Sequence, residues 1–214
     1  MICGVDEAGR GPVMGPLIIC GVSIEGDELL RTLGVKDSKK LSRSKREELD
    51  GKIRNVVSAV EIVEVSASEI DLLREEMTLN QLETKVFASI IKKLNPDVAY
   101  VDAADVNEER FARDICDEMG APMNIVSKHK ADDTYPVVSA ASILAKVRRD
   151  SIVMKIEEDI GEPIGSGYAS DPNTIRFIES WLARHESLPP HTRKSWDTSS
   201  RLVNMRAIKK LDQY

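Results

Sequence analysis

Four acids stand where chemistry rather than solubility would put them. Asp6 and Glu7 follow the apolar run of Ile2, Cys3 and Val5, Asp102 closes the run V-A-Y-V-D, and Asp132 lies just beyond a further apolar run over 123–126. An unpaired carboxylate at the mouth of a buried strand is costly unless a cation or hydrogen bonds compensate it. Carboxylates converging from several strands would also repel one another and raise each other's pKa, which divalent cations relieve. Oxygen-only ligands point to magnesium or manganese. Two such ions about 3.5 to 4 Å apart can activate a water on one side of a phosphodiester and stabilise the departing oxygen on the other. Immediately after the first pair of acids comes a turn with Gly9, Gly11, Gly15 and Pro12, and a backbone without Cβ can approach a ligand and offer it N–H groups. The combination predicts a metal-dependent site acting on a phosphorylated substrate. Asp105, Asp114, Asp117 and Asp133 read instead as surface or capping residues.

Elements that would position these acids follow from periodicity and capping chemistry. Met1 to Val5 and Leu17 to Ile24 read as strands joined by the glycine turn. A helix is expected from about Ser44, where Ser44 and Glu47 match a capping box, and the alternation at Val60, Ile62, Val63 and Val65 predicts a third strand. Ser66 with Glu69 opens a short helix through Leu73, and Thr78 with Gln81 opens a longer one that Asn95-Pro96 stops. The strand ending at Asp102 comes next, followed by a helix from Asn107 to Gly120 and a strand over 123–126. Pro136 starts a helix rich in small residues that runs towards Gly161, small side chains allowing close approach to a sheet. Further helices follow Asp171-Pro172 and begin at about Thr198. This order implies a mixed sheet, antiparallel at its start and then built from βαβ crossovers. Parallel neighbouring strands ending at Asp6 and Asp102 would deliver both acids to one sheet edge. No internal repeat or linker interrupts the chain, so one compact domain with a helical C-terminal appendage is expected.

Composition narrows the function classes. The 214 residues are 42% apolar and 31% charged, an ordinary globular balance. No apolar stretch approaches the roughly 20 residues that span a bilayer, and no signal peptide is evident, so a cytoplasmic protein is expected. The three cysteines (Cys3, Cys20, Cys116) lack metal-binding spacing and read as buried thiols, and three histidines argue against catalysis by paired imidazoles. A net charge of −6 opposes nucleic-acid binding globally. Cations are nevertheless concentrated at Lys36, Lys39, Lys40, Arg43, Lys45 and Arg46, at Lys128 and Lys130, at Lys146, Arg148 and Arg149, and at Arg193 and Lys194. Any one of these clusters alone reads as a solvated helix face.

The segments D-E-A-G-R-G-P-V-M-G-P (6–16), K-D-S-K-K-L (36–41), Y-V-D (100–102), H-K-A-D (129–132), A-A-S-I-L-A-K-V (140–147) and G-S-G-Y-A-S-D-P (165–172) in this order resemble type 2 ribonuclease H, ribonuclease HII, in its compact archaeal form. Several long motifs in sequence are far more specific than one short pattern. The resemblance implies a ribonuclease H-like α/β fold, a five-stranded mixed sheet flanked by helices, with a catalytic domain over 1–165 and a helical C-terminal region over 166–214 packed on it. It implies hydrolysis of the RNA strand of RNA/DNA hybrids and nicking 5′ of ribonucleotides embedded in duplex DNA, leaving 3′-hydroxyl and 5′-phosphate ends. Asp6, Glu7, Asp102 and Asp132 would be the catalytic carboxylates holding two Mg2+ or Mn2+ ions. Gly9, Arg10 and Gly11 would sense the ribose 2′-hydroxyl, and Tyr168 would stack on the next deoxyribose. Lys39, Lys40, Lys130, Lys146 and Arg149 would contact backbone phosphates. Family members that dock on the sliding clamp end in a glutamine-led peptide; here Ile208 occupies the glutamine position, while Leu211 and Tyr214 fit the pattern. Fold and carboxylates alone also admit a DNA nuclease such as a junction resolvase, and a non-catalytic nucleic-acid or clamp-binding module is the reading from a different class.

Overall fold

A computed structural model describes residues 1–35 and 41–211, the side chains of 209–211 excepted. Lys39, Lys40 and Tyr214 therefore lie outside the described residues, as does the side chain of Leu211. Among those described, the chain forms five strands and nine helices: β1 (Ile2–Ala8), β2 (Leu17–Ile24), α1 (Glu28–Leu33), α2 (Arg43–Val56), β3 (Ala59–Val65), α3 (Ala67–Leu73), α4 (Leu79–Leu94), β4 (Val98–Asp102), α5 (Glu108–Met119), β5 (Asn124–Lys128), α6 (Ala131–Thr134), α7 (Pro136–Ile160), α8 (Pro172–Arg184) and α9 (Asp197–Leu211). They divide into two compact units. The first comprises Met1–Ala8, Ile18–Glu64 and Met77–Arg148, the second Gly9–Leu17, Val65–Glu76 and Arg149–Tyr214.

The first unit is built on a sheet of order β3-β2-β1-β4-β5. β1 pairs antiparallel with β2, from Ile2↔Ile24 to Ala8↔Ile18, and parallel with β4, from Ile2↔Val98 to Val5↔Val101, while β4 pairs parallel with β5. This is the mixed sheet that the order of elements predicts. Every residue of β2 is buried and Val5, Ala99 and Val101 are sealed from solvent, as expected for strands covered on both faces. Two glycines allow that double cover. A methyl group at Gly4 would overlap the Val137 carbonyl of α7, and one at Gly21 would collide with Ile90 of α4. Gly4 and Gly21 belong to opposite pleats, Gly21 facing Val5 across the ladder, so α7 and α4 lie on the two faces of the sheet.

Local chemistry explains most element boundaries. Ser66 with Glu69 and Thr78 with Gln81 form reciprocal capping boxes, Asn107 caps α5 through the Arg110 amide, and left-handed Gly120 ends it. The start of α2 differs from expectation. Ser42, not Ser44, accepts the Lys45 amide, while Glu47 pairs with Arg43 at 2.9 Å instead of closing a box. β1 also runs three residues past Val5, because its ladder with β2 continues to Ala8. α1 and α6 have no counterpart in the sequence reading. Neither has a side-chain cap, the signal from which helix starts are read.

The second unit has its own apolar cluster, in which Val13 and Met14 pack with Ile156, Ile164, Phe177, Ile178, Leu182 and Leu202. Asp171 caps α8, with Pro172 in its first turn. Among the described residues no helix is long and apolar enough to cross a membrane.

Candidate active site

The parallel register of β1 and β4 brings Asp6 abreast of Asp102 at one sheet edge. The third acid arrives by a different route. After β5 the chain turns through Lys130, whose backbone is left-handed at φ 55°, and enters α6, where the Ala131 amide donates to Asp102 Oδ1 at 3.3 Å. Asp132, next along this first turn, is thereby tied to β4. Carboxylate oxygens of Asp6, Asp102 and Asp132 all lie within 4.8 Å of one another. Glu7, the next residue of β1, is not one of the three, but its negative charge acts on Asp6 and its amide donates to Asp6 Oδ1 at 2.8 Å.

Electrostatics at this edge oppose full ionisation. Burial, and then the negative charges of Glu7 and Asp102, push the Asp6 carboxyl well above its usual range, while Lys146 and a hydrogen bond from Ser142 pull it down. Asp6 and Asp132 are 4% and 2% exposed while Asp102 is only partly buried, so the repulsion on Asp6 is weakly screened. Three hard oxygen donors converging in a desolvated corner suit a divalent cation such as magnesium or manganese and not a thiophilic one.

α7 supplies the opposing charge. Lys146 donates to Ser142 Oγ one turn earlier at 2.5 Å, and both act on the Asp6 carboxyl. In the sequence, Lys146 reads as a phosphate contact and Ser142 as one of the small residues that let the helix lie close to a sheet. Their i, i+4 spacing on a helix expected to lie close to the sheet is the signal that could have paired them. Of the two roles expected for Asp105, surface or capping, the structure favours the second: it is 7% exposed and accepts from the amide of Asn107, the N-cap of α5, as well as from Asn80 and Arg110.

The second unit gathers the remaining described candidates except Lys130, which is exposed in the first. Gly9 is left-handed at φ 89°, and a Cβ there would stand 2.5 Å from the Pro16 carbonyl and 2.8 Å from Arg149 Nε. Gly11 is exposed, and a methyl group at it would sit 3.9 Å from Cε1 of Tyr168. Tyr168 is 38% exposed, with the Arg149 guanidinium 5.0 Å from its ring centroid. Arg149 is buried and donates to the Ser166 carbonyl at 2.8 Å. The glycine turn and the tyrosine loop are joined by the Gly167 carbonyl, which accepts from the Val13 and Met14 amides at 2.8 and 3.1 Å. Arg193, read in the sequence as part of a solvated basic face, is fully buried against this turn.

Comparison with known proteins converges on one family. The family model described as Ribonuclease HII matches residues 3–199. Ribonuclease HII of Methanoregula boonei is 48% identical over 203 residues, covering 95% of this chain and 94% of the relative. Among solved structures, the PCNA:RNase HII complex from Archaeoglobus fulgidus superposes with a TM-score of 0.88 at 43% identity, covering 94% of this chain and 96% of that one. Ribonuclease H2 from Pyrococcus horikoshii gives 0.88 at 39% identity, with coverages of 95% and 97%. A ribonuclease H-like mixed sheet, a buried carboxylate triple at its edge and relatives matched almost end to end place the chain in the ribonuclease HII family, as a metal-dependent ribonuclease H.

Proposed function

We propose that this endoribonuclease hydrolyses the RNA strand of RNA/DNA hybrids and also nicks 5′ of a single ribonucleotide embedded in duplex DNA, leaving 3′-hydroxyl and 5′-phosphate ends. The observation that carries the reading is the triple of carboxylates delivered by β1, β4 and α6 to one buried corner. When bound there, two magnesium or manganese ions supply an activated water and stabilise the departing 3′ oxygen. Asp6, Asp102 and Asp132, with Glu7 as the fourth carboxylate, would hold them. Lys146 offsets part of the negative charge.

Selection of the ribonucleotide belongs to the turn that directly follows these acids in the chain. Backbone groups of Gly9, Arg10 and Gly11 test for the 2′-hydroxyl, the group that distinguishes RNA from DNA at one position, and so read no base. The half-exposed ring of Tyr168 offers a flat face to the adjoining deoxyribose. Lys39, Lys40, Lys130, Lys146 and Arg149 are the proposed phosphate contacts, which would give affinity without sequence preference. The test is a cleavage assay in magnesium or manganese on three duplexes: a hybrid, a DNA duplex with one ribonucleotide, and an all-DNA duplex. Cleavage of the first two, the second on the 5′ side of the ribonucleotide, is expected. Equal cutting of all-DNA would replace this reading with that of a DNA nuclease.

The Archaeoglobus fulgidus relative was solved with PCNA, and we extend clamp docking to the C-terminal tail here, where Ile208 is 58% exposed. A clamp pulldown unchanged by deletion of residues 211–214 would discard that extension.

A further inference from the structure

Arg193 is among the largest fully buried side chains described, and three of its side-chain bonds go to one segment. Its Nη2 donates to the Gly9 carbonyl at 2.5 Å, Nη1 to the Arg10 carbonyl at 2.8 Å and Nε to the Gly15 carbonyl at 3.1 Å. Its own amide donates to the Val13 carbonyl at 2.8 Å. A guanidinium presents its donors in a rigid planar fork, so three carbonyls bound at once fix the path of the chain from Gly9 to Gly15. With those carbonyls turned inward onto one cation, the peptide planes between Gly9 and Gly11 have one orientation available.

The segment that carries Arg193 is itself anchored. Asp71 of α3 accepts the Lys194 and Ser195 amides at 2.8 and 2.9 Å and the Ser195 hydroxyl at 2.6 Å. Ser199 donates to the Arg193 carbonyl at 2.7 Å, the Gly15 amide donates to the His191 carbonyl at 2.9 Å, and the Trp196 ring covers the guanidinium at 4.8 Å.

We propose that Arg193 is a positioning residue for recognition of the ribonucleotide, setting the backbone of Gly9–Gly11 from behind without touching the substrate. The proposal rests on the reading that this turn contacts the ribose. A buried charge spent on three backbone carbonyls is costly to desolvate; a plain tight turn with two left-handed glycines needs no such device.

The test compares wild type, Arg193→Ala and Arg193→Lys, each assayed below its own melting temperature on the duplex with one ribonucleotide, with the manganese-induced rise in Tm measured in parallel. Loss of kcat/KM on the order of 10²-fold is expected for Arg193→Ala, the scale on which a small misplacement acts, with the manganese-induced rise unchanged because it reads the carboxylates. Arg193→Lys, which keeps the charge but has a single point donor group, should remain impaired. Guanidinium ion well below denaturing concentrations should restore part of the activity of Arg193→Ala, while equal sodium chloride does not. Full activity in Arg193→Lys, loss of the manganese response together with activity, or the absence of guanidinium rescue would each overturn the proposal. Gly11→Ala separates the two readings, since the space beside Gly11 admits a methyl group. If it cuts like wild type, the turn does not contact the ribose; if it fails while Arg193→Lys is normal, only the role of Arg193 is wrong.

Discussion

Asp6 is held in a state that folding disfavours once it is ionised. Its folded pKa lies above that of the unfolded chain, so its contribution to stability is fully present below the ordinary aspartate value of about 3.9 and is lost as pH rises through the raised value. Above that ordinary value, without divalent cations, the raised carboxyl therefore costs the fold stability. Asp6→Asn should therefore raise the Tm of the metal-free protein at neutral pH, each kcal/mol relieved being worth about 2 to 4 °C in a chain of this size. The gain should shrink as pH is lowered, and the variant should lose cleavage. A Tm difference independent of pH in thermal melts would contradict this account. Asp102→Asn should likewise abolish cleavage while the protein still folds, and substantial residual activity in saturating magnesium would count against a ligand role. Tyr168→Phe should keep most activity, since the proposed role uses the ring face; a loss as deep as that of Asp102→Asn would mean the hydroxyl takes part in the chemistry.

Elements deliver these residues through contacts that tolerate little added volume. Gly4 lets α7 lie against β1, and α7 brings Ser142 and Lys146 to Asp6. Gly4→Ala should cost about 1 to 3 kcal/mol and weaken the manganese-induced rise in Tm, both measurable by thermal denaturation. The placement of Asp6 and Asp102 at one sheet edge was legible in the sequence because an apolar run closed by an acid occurs at both sites. Capping boxes at Ser66 and Thr78 were legible because side chain and backbone there agree. Where two serines competed, at Ser42 and Ser44, spacing alone chose the wrong one. α6 was illegible because a left-handed lysine precedes it in place of a capping side chain, although it is this short helix that brings Asp132 beside Asp102. Arg193 was missed for a related reason: bonds from its guanidinium to the carbonyls of Gly9, Arg10 and Gly15 are made to backbone, which no side chain in the sequence signals.

Across the whole molecule, charge and burial are distributed unevenly. The net charge is −6, yet salt bridges along α2, such as Arg43 with Glu47 and Lys52 with Glu48, neutralise cations that composition alone would credit to substrate binding. Affinity carried by a few phosphate contacts should then weaken steeply with added salt, in a log-log slope that reads how many such contacts form. The interior carries another kind of marker. Cys3 on β1 and Cys20 on β2 are sealed from solvent, and burial pushes the Cys3 thiol up to about 12 and that of Cys20 higher still. Thiolate is the reactive form, so in the native protein a maleimide should modify only Cys116, and the two sheet thiols should react no faster than the central strands separate. The rate of their alkylation is thus a built-in clock for opening of the sheet, one that needs no engineered probe and that runs slower whenever a cation fastens its carboxylate edge.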